Sequence, residues 1–417
     1  MEKSGKFRLT SLERNWILYD VGNSAFVLMV ATLIPIFFNA LAAAGGLSSV
    51  EYLAYWGYAS SAVTVITAVL SPILGTVADT KGFKKPIFIL CVFVGIVGCC
   101  AMGAASEWLP FLVIFVIAKV GFSGSLVFYD SMLSDVTTPE RMDEVSSRGY
   151  AWGYIGSCVP FVVCLGLVLG AGSIGISQMT ALNLALLLTA AWWLLTTLPL
   201  LKSYKQLYYV EVEKHAVRQS FARIGHTLRH LPEDKQVFWF LLAFFCYIDG
   251  VYTIIDMATA YGTALGLDTT GLLLALLVTQ IVAFPSALVF GRLSNKYPSA
   301  KLIPVCIAAY AGIAVFAFFL TRQWQFWVLA VIVGMFQGGV QALSRSHFAK
   351  IIPPEKSGEY FGLFDICGKG ASFLGTMIVS VGSQLTGSAN VGVGSLIVLF
   401  IVGFVLFRVS CRQGETA

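Results

Sequence analysis

Gly75-Thr76-Val77-Ala78-Asp79-Thr80-Lys81-Gly82-Phe83-Lys84-Lys85 is a short charged stretch between two apolar runs, about 52–78 and 86–105. Each run reaches the roughly 20 residues that a helix needs to cross the hydrocarbon core of a bilayer. The stretch therefore reads as a turn between two membrane spans. Gly75 lets helices approach closely, and Gly82 suits a tight turn. Asp79 is placed to cap a neighbouring helix terminus or to pair with a cation. The pattern recurs 216 residues later, where Gly291 and Lys301 take the places of Gly75 and Lys85. Asn295 replaces the acid in the second copy, which confines an ionic latch to the first.

Working outward in both directions gives twelve apolar stretches: about 16–42, 52–78, 86–105, 109–135, 147–171, 176–201, 237–263, 270–291, 302–320, 324–349, 358–385 and 390–408. Apolar residues make up 57% of the 417 and charged residues 12%, against about 25% charged in a soluble domain. The mean hydropathy is +0.81. Too few charges remain to cover a water-soluble fold of this size, so a soluble enzyme, a nucleic-acid binder and a disordered chain are excluded. The first fifteen residues carry no cleavage site, and the first span is expected to be retained. The one long hydrophilic interruption, 202–236, divides the chain into bundles at 1–201 and 237–417. Within it, residues 216–230 have an amphipathic pattern with a basic face suited to the membrane surface. Eight of the nine cysteines lie in apolar runs and read as small hydrophobes. His226 and His230 have i, i+4 spacing without a third ligand or an HExxH acid, so they read as a solvated face and no metal is expected.

An even number of spans puts both termini on one side. With that side cytoplasmic, all but Arg322, Lys119 and Lys369 of the 27 Lys and Arg fall in cytoplasmic segments, as the positive-inside bias requires. The net charge of +5 is then mostly a topology signal. Around spans 4–5 and 10–11 the two halves match at an offset of 215: Gly124/Gly339, Ser131/Ser346, Pro139/Pro354, Glu140/Glu355, Glu144/Glu359, Gly153/Gly368 and Ser157/Ser372. Six spans plus six in parallel repeats read as a two-bundle secondary transporter with its site at the midplane between the bundles.

Charges inside spans are costly and normally face a cavity or a partner. Here they are Asp20, Lys119, Asp130, Asp249, Asp256, Asp365 and Lys369, in spans 1, 4, 7 and 11. Lys119 and Asp130 lie eleven residues apart on one helical face, about 16 Å along the axis. Asp249 and Asp256 also share a face, and Asp365 and Lys369 are i, i+4 neighbours able to pair. Gln337, Gln341 and Arg345 follow helical spacing in span 10, and span 8 supplies Gln280. A carboxyl group in a low-dielectric cavity favours its neutral form, which suits Asp249, Asp256 and Asp365 to carry a proton between sides. Permanent structural pairing is the alternative for these residues.

Several of these stretches resemble known signatures. The Gly75–Lys85 stretch resembles the turn between spans 2 and 3 of major facilitator transporters. Trp16-Ile17-Leu18-Tyr19-Asp20-Val21-Gly22-Asn23-Ser24-Ala25-Phe26 is similar to the span 1 signature of the "unknown major facilitator" family, bacterial relatives of fungal vacuolar autophagy-linked amino-acid effluxers. So are Phe128-Tyr129-Asp130 with Leu133 and Asp135, and Gly149-Tyr150-Ala151-Trp152-Gly153-Tyr154-Ile155-Gly156. A further block runs through Ser344-Arg345-Ser346 and Pro353-Pro354-Glu355-Lys356 to Phe361-Gly362-Leu363-Phe364-Asp365 and Gly368-Lys369. Asp130 stands where an amide is commoner, and Lys369 where arginine is common. The resemblance implies the major facilitator fold, an all-α membrane protein of twelve transmembrane helices in two pseudo-symmetric six-helix bundles. Its cavity is then lined by spans 1, 4, 7 and 10. It also implies export of amino acids or similar small metabolites.

The expected protein is a monomeric secondary active transporter of a bacterial cytoplasmic membrane. It moves a small polar or zwitterionic, amino-acid-like solute by alternating access, as proton-coupled efflux, without a cofactor. Tyr19, Asn23, Lys119, Gln280, Gln337, Gln341 and Lys369 are the expected substrate contacts, with Asp249 and Lys369 meeting the ammonium and carboxylate of the solute. Asp249, Asp256 and Asp365 are the expected proton carriers. Asp20, Asp79, Asp130 and Arg345 are the expected gate. Other readings are an exporter of lipophilic drugs or lipids, favoured by 13% aromatic residues, a membrane enzyme, and a non-transporting sensor. The enzyme reading lacks HExxH, GxSxG or a paired His/Asp set.

Overall fold

Thr10 and Glu13 start the first helix by capping each other: the Glu13 amide donates to Thr10 Oγ1 at 3.1 Å, and the Thr10 amide to Glu13 Oε2 at 2.7 Å. This reciprocal bonding satisfies two amides that a helix start leaves open. A computed structural model describes residues 7–211, 225, 227 and 229–416. The amphipathic stretch 216–230, including His226, lies largely outside the described residues. Among those described, the chain is helical apart from short turns and one bridge.

The first helix, α1 (Ser11–Ala31), stops at Thr32 and continues as Leu33–Ala44. Pro35 explains the break, because its ring collides with the carbonyl four residues back and it has no amide to donate. Then follow α2 (Ser49–Ala78), α3 (Lys84–Ala104), α4 (Trp108–Ser131), α5 (Met142–Leu169) and α6 (Gln178–Ser203). After the linker come α7 (Lys235–Ala264), α8 (Thr269–Leu293), α9 (Ser299–Phe318), α10 (Gln323–Ile351), α11 (Ser357–Thr386) and α12 (Ile397–Thr416), the last preceded by a short helical turn, Ala389–Gly394. Most helix ends fall within about five residues of those read from hydropathy, but the twelfth helix, Ile397–Thr416, begins and ends later than the expected 390–408. Eleven helical stretches among the described residues are long and apolar enough to cross a membrane. The thirty-residue α11 completes twelve.

In the first half α1 packs on α5 and α6, α3 on α4 and α6, and α2 on α4; in the second, α7 packs on α11 and α12, α8 on α10, and α9 on α10 and α12. The halves meet through α2 against α11 and through α5 against α8 and α10. The α2–α11 and α8–α5 contacts are related by the repeat, since α8 repeats α2 and α11 repeats α5. Both are built on glycine. A Cβ on Gly75 would collide with the Gly358 carbonyl, one on Gly362 would lie 2.6 Å from Pro72 Cα, and one on Gly291 would lie 2.8 Å from Ser147 Cβ. Small residues let the helix axes come this close. Gly82, with φ +78°, makes the turn between α2 and α3 in a conformation that side chains with a Cβ avoid.

These contacts all lie at the end of the bundle that carries the starts of α1 and α7 and the linker, called the linker end below. The start of the linker is fixed there: the Val210 amide donates to the Asp79 carbonyl at 2.8 Å, and Asp135 Oδ1 accepts the amides of Leu207 and Tyr208 at 2.9 Å each.

Candidate functional site

Arg345 of α10 is only 2% exposed and projects into the first half. Its Nη1 lies 3.0 Å from Asp130 Oδ1 and 3.6 Å from Asp20 Oδ2. Its Nε donates to Ser146 Oγ at 2.9 Å and its Nη2 to the Ser146 carbonyl at 3.0 Å. The guanidinium plane covers Tyr150 at 4.3 Å and Trp16 at 4.7 Å. Tyr129 Oη donates to Asp20 Oδ2 at 2.9 Å. A buried cation is tolerable only where ion pairs and hydrogen bonds replace its water, and a planar guanidinium bonds in its plane while stacking on aromatic faces. Gly149 leaves room for the group, because a Cβ there would sit 2.8 Å from Asp20 Oδ2 and 3.1 Å from Arg345 Nη2. Asp20, Asp130 and Arg345, three of the four residues expected as a gate, form one cross-half cluster at the linker end.

A second closure lies nearer that end. Asp79 Oδ1 and Oδ2 accept the amides of Gly358 and Glu359, at 2.7 and 2.8 Å, so the acid at the end of α2 caps the start of α11. Lys84, fully buried, lies 3.8 Å from Asp79 and 3.5 Å from Asp135 and donates to Ser357 Oγ at 2.8 Å. Burial pushes the Asp79 carboxyl up to about 7, against the pull of Lys84 and the two amides. The repeat-related position is not silent. Asn295 Nδ2 donates to Glu144 Oε2 at 2.8 Å, a neutral version of the same latch with donor and acceptor exchanged. Asp143 adds Ser346 Oγ and Lys350 Nζ, each at 2.6 Å. Ser146, Tyr150, Asp143 and Asn295 as a partner of Glu144 were not expected from the sequence. The constant offset that pairs Glu144 with Glu359 was the available signal.

Beyond this closure, away from the linker end, each half carries a further ionisable residue within a span. Asp256 of α7 is exposed and Lys119 of α4 is half-buried. The Lys119 ammonium sits over Phe122 at 4.8 Å and Phe26 at 5.9 Å. Asp365 Oδ2 accepts from Ser71 Oγ at 2.8 Å, joining α11 to α2.

The remaining candidates stand elsewhere. Asp249 is enclosed between α7 and α11, where its Oδ1 accepts the Gly375 amide at 2.9 Å and Thr253 Oγ1 at 3.3 Å, while its Oδ2 has no hydrogen-bond partner among the described residues. The side chain of Lys369 lies outside the described residues. Tyr19 is buried in the first half, its hydroxyl donating to Ser125 Oγ at 2.6 Å, and Asn23 is buried beside it on α1. Gln341 Oε1 accepts from Tyr154 Oη at 2.6 Å across the halves. Gln280 and Gln337 line a cavity inside the second half.

The chain matches the family described as "Vacuole effluxer Atg22 like" over residues 11–142 and 134–416. It is 42% identical to the uncharacterized MFS-type transporter YxiO of Bacillus subtilis (strain 168), over 98% of this chain and 97% of that one. It is 25% identical to autophagy-related protein 22 of Coccidioides immitis (strain RS), over 65% of this chain and 51% of that protein. The chain therefore spans about half the length of this fungal relative. In fold it is similar to the human organic anion transporter MFSD10, with a TM-score of 0.72, 14% identity and coverage of 95% and 98% of the two chains. It is likewise similar to the transporter FucP in its outward conformation, with a TM-score of 0.71, 16% identity and coverage of 96% and 97%. A twelve-helix chain with these relatives is thus a multi-pass secondary transporter and no enzyme, and it belongs to the Atg22-like effluxer family within the major facilitator superfamily.

Proposed function

We propose that this transporter exports a small zwitterionic, amino-acid-like metabolite across a bacterial cytoplasmic membrane in exchange for protons, working as a monomer with both termini and the linker inside. The observation that carries the reading is that each half holds an ionisable residue within a span, Lys119 half-buried on α4 and Asp256 exposed on α7. A zwitterion brings a carboxylate and an ammonium, and each loses less on leaving water if an opposite charge receives it. Lys119 suits the carboxylate and Asp256 the ammonium. This reading replaces Asp249 with Asp256 as the ammonium partner, because Asp249 is already engaged by the Gly375 amide. With the linker end inside, the closed Arg345 and Asp79 contacts correspond to an outward-open state. Rocking the halves then opens those contacts and brings Lys119 and Asp256 together.

Proton coupling is assigned to Asp256, exposed on α7, to Asp365 at the α2–α11 seam, and to Asp249 between α7 and α11. Protonating Asp256 removes the charge that holds the ammonium, so proton entry from outside releases the solute there. The test is counterflow in proteoliposomes loaded with an amino-acid mixture. Wild-type exchange should be lost in Asp256→Asn and in Lys119→Gln, while both variants keep the wild-type melting temperature. Unchanged exchange and pH dependence in Asp256→Asn would overturn the assignment.

A further inference from the structure

The second half encloses a cavity that the transport reading does not use. The cavity, about 60 Å³, lies among α7, α8, α9, α10, α11 and the approach to α12. All of its lining residues, Thr253 to Leu396, belong to the second half, so rocking one half against the other carries the cavity as a body. Its walls are almost entirely hydrocarbon. The polar groups on them can be accounted for one by one. Thr253 Oγ1 donates to Asp249, Thr279 Oγ1 to the carbonyls of Ala275 and Ala330, and Tyr261 Oη to the carbonyl of Ala317. Two groups are left over, the side-chain oxygens of Gln280 and Gln337, both buried and without a hydrogen-bond partner among the described residues. Gln337 is 5% exposed.

A buried acceptor left unpaired is unfavourable, and two of them on an otherwise apolar wall define what completes the site: an apolar body with a hydrogen-bond donor at one end. Among the described residues no charged side chain lines the cavity, so an ionic head group would lose its water without compensation. We propose that the cavity is a binding site for a slim neutral amphiphile, an alkyl chain ending in a hydroxyl group, whose donor meets the amides of Gln280 and Gln337. The proposal does not depend on the transported solute being a zwitterion. Membrane-partitioned alcohols reach such a site from the bilayer, and their occupancy braces α7 against α8 and α10.

The experiment uses the purified full chain and three probes of equal chain length: hexane, hexan-1-ol and hexylammonium. Hexan-1-ol should raise the melting temperature most, hexane less and hexylammonium least. Gln337→Leu should weaken the response to hexan-1-ol about tenfold, the equivalent of one net hydrogen bond, and leave the response to hexane unchanged. Ala330→Phe fills the cavity and should abolish the responses to hexane and hexan-1-ol. As a check that does not rely on a crowded core, Met257→Cys, on the cavity wall, should be protected from maleimide by hexan-1-ol. Equal responses to all three probes would overturn the proposal. So would a hexan-1-ol response that survives Ala330→Phe without protection of the cysteine at 257, because binding would then lie in the surrounding detergent or lipid.

Discussion

Arg345 and Asp130 occupy equivalent positions of the two repeats, 215 residues apart, and their side chains meet at 3.0 Å. The ion pair therefore lies close to the axis that relates the halves. The same relation holds one layer further toward the linker end, where Asp79 caps α11 and its counterpart Asn295 bonds Glu144 on α5. A duplicated chain that closes on itself brings like positions together at the axis, so a favourable contact there requires the repeats to have diverged in charge.

Arg345→Gln leaves Asp20 and Asp130 buried side by side. Removing one partner of a buried ion pair destabilises by about 3–5 kcal/mol, and the loss should fall on the closed linker end. Spin labels at Glu140 and Glu355, exposed equivalents on opposite halves, should move apart in Arg345→Gln. Because the positions are equivalent, the exchange Asp130→Arg with Arg345→Asp should regain part of the closure that either single change loses. A short label distance in Arg345→Gln would contradict this account.

Asn295→Asp places a second carboxylate against Glu144, which already accepts from Arg148 at 2.5 Å. Like charges at this distance repel where water is scarce. The variant should favour opening at the linker end above neutral pH and approach the wild type as the pH falls. Rates of cysteine labelling at Ser294, from the linker side, measure it.

Asp79 sets a pH dependence. Its carboxyl titrates near 7 in the closed state, above the value of about 3.9 for a solvated aspartate. The closed state therefore binds an extra proton between these values. This contribution to closure is fully present below about pH 4 and is lost as the pH rises through about 7. Moving from pH 6 to pH 8 should shift the Glu140–Glu355 label distances toward the open population. Asp79→Asn, neutral throughout, should flatten the shift. A wild-type distribution that is constant over this range would refute the assignment.

Gly75→Val tests packing without altering charge. The added side chain has no room against the Gly358 carbonyl, and backbone cannot step aside as a flexible side chain can. Closure at the linker end should fail, giving loss of exchange with a melting temperature lowered by less than in Arg345→Gln. Wild-type exchange in this variant would remove the α2–α11 seam from the cycle.

The helices were legible because apolar length is a local property, and the break at Thr32 follows from Pro35 in the same way. Asp79 was legible as a helix cap because a lone acid after a glycine-lined span has few other uses. The neutral latch at Asn295 was not, since nothing in its neighbourhood points to Glu144, 151 residues earlier. Helical spacing put Asp249 and Asp256 on one face, yet α7 turns the first toward Gly375 and leaves the second exposed. A single stripe can pass from a helix interface to an accessible face within two turns.

By itself the sequence determined twelve spans, a linker after the sixth, a duplication and a short set of charges that oil does not tolerate. Each of these follows from the free energy of placing one residue, or twenty in a row, in hydrocarbon. Only the tertiary structure decided which groups meet: Arg345 with Asp130, Asp79 with two backbone amides of α11, Asn295 with Glu144, and Asp249 with the Gly375 amide. Those partnerships depend on how each helix is rotated and on which end of the two halves is closed, and helical periodicity along the chain contains neither.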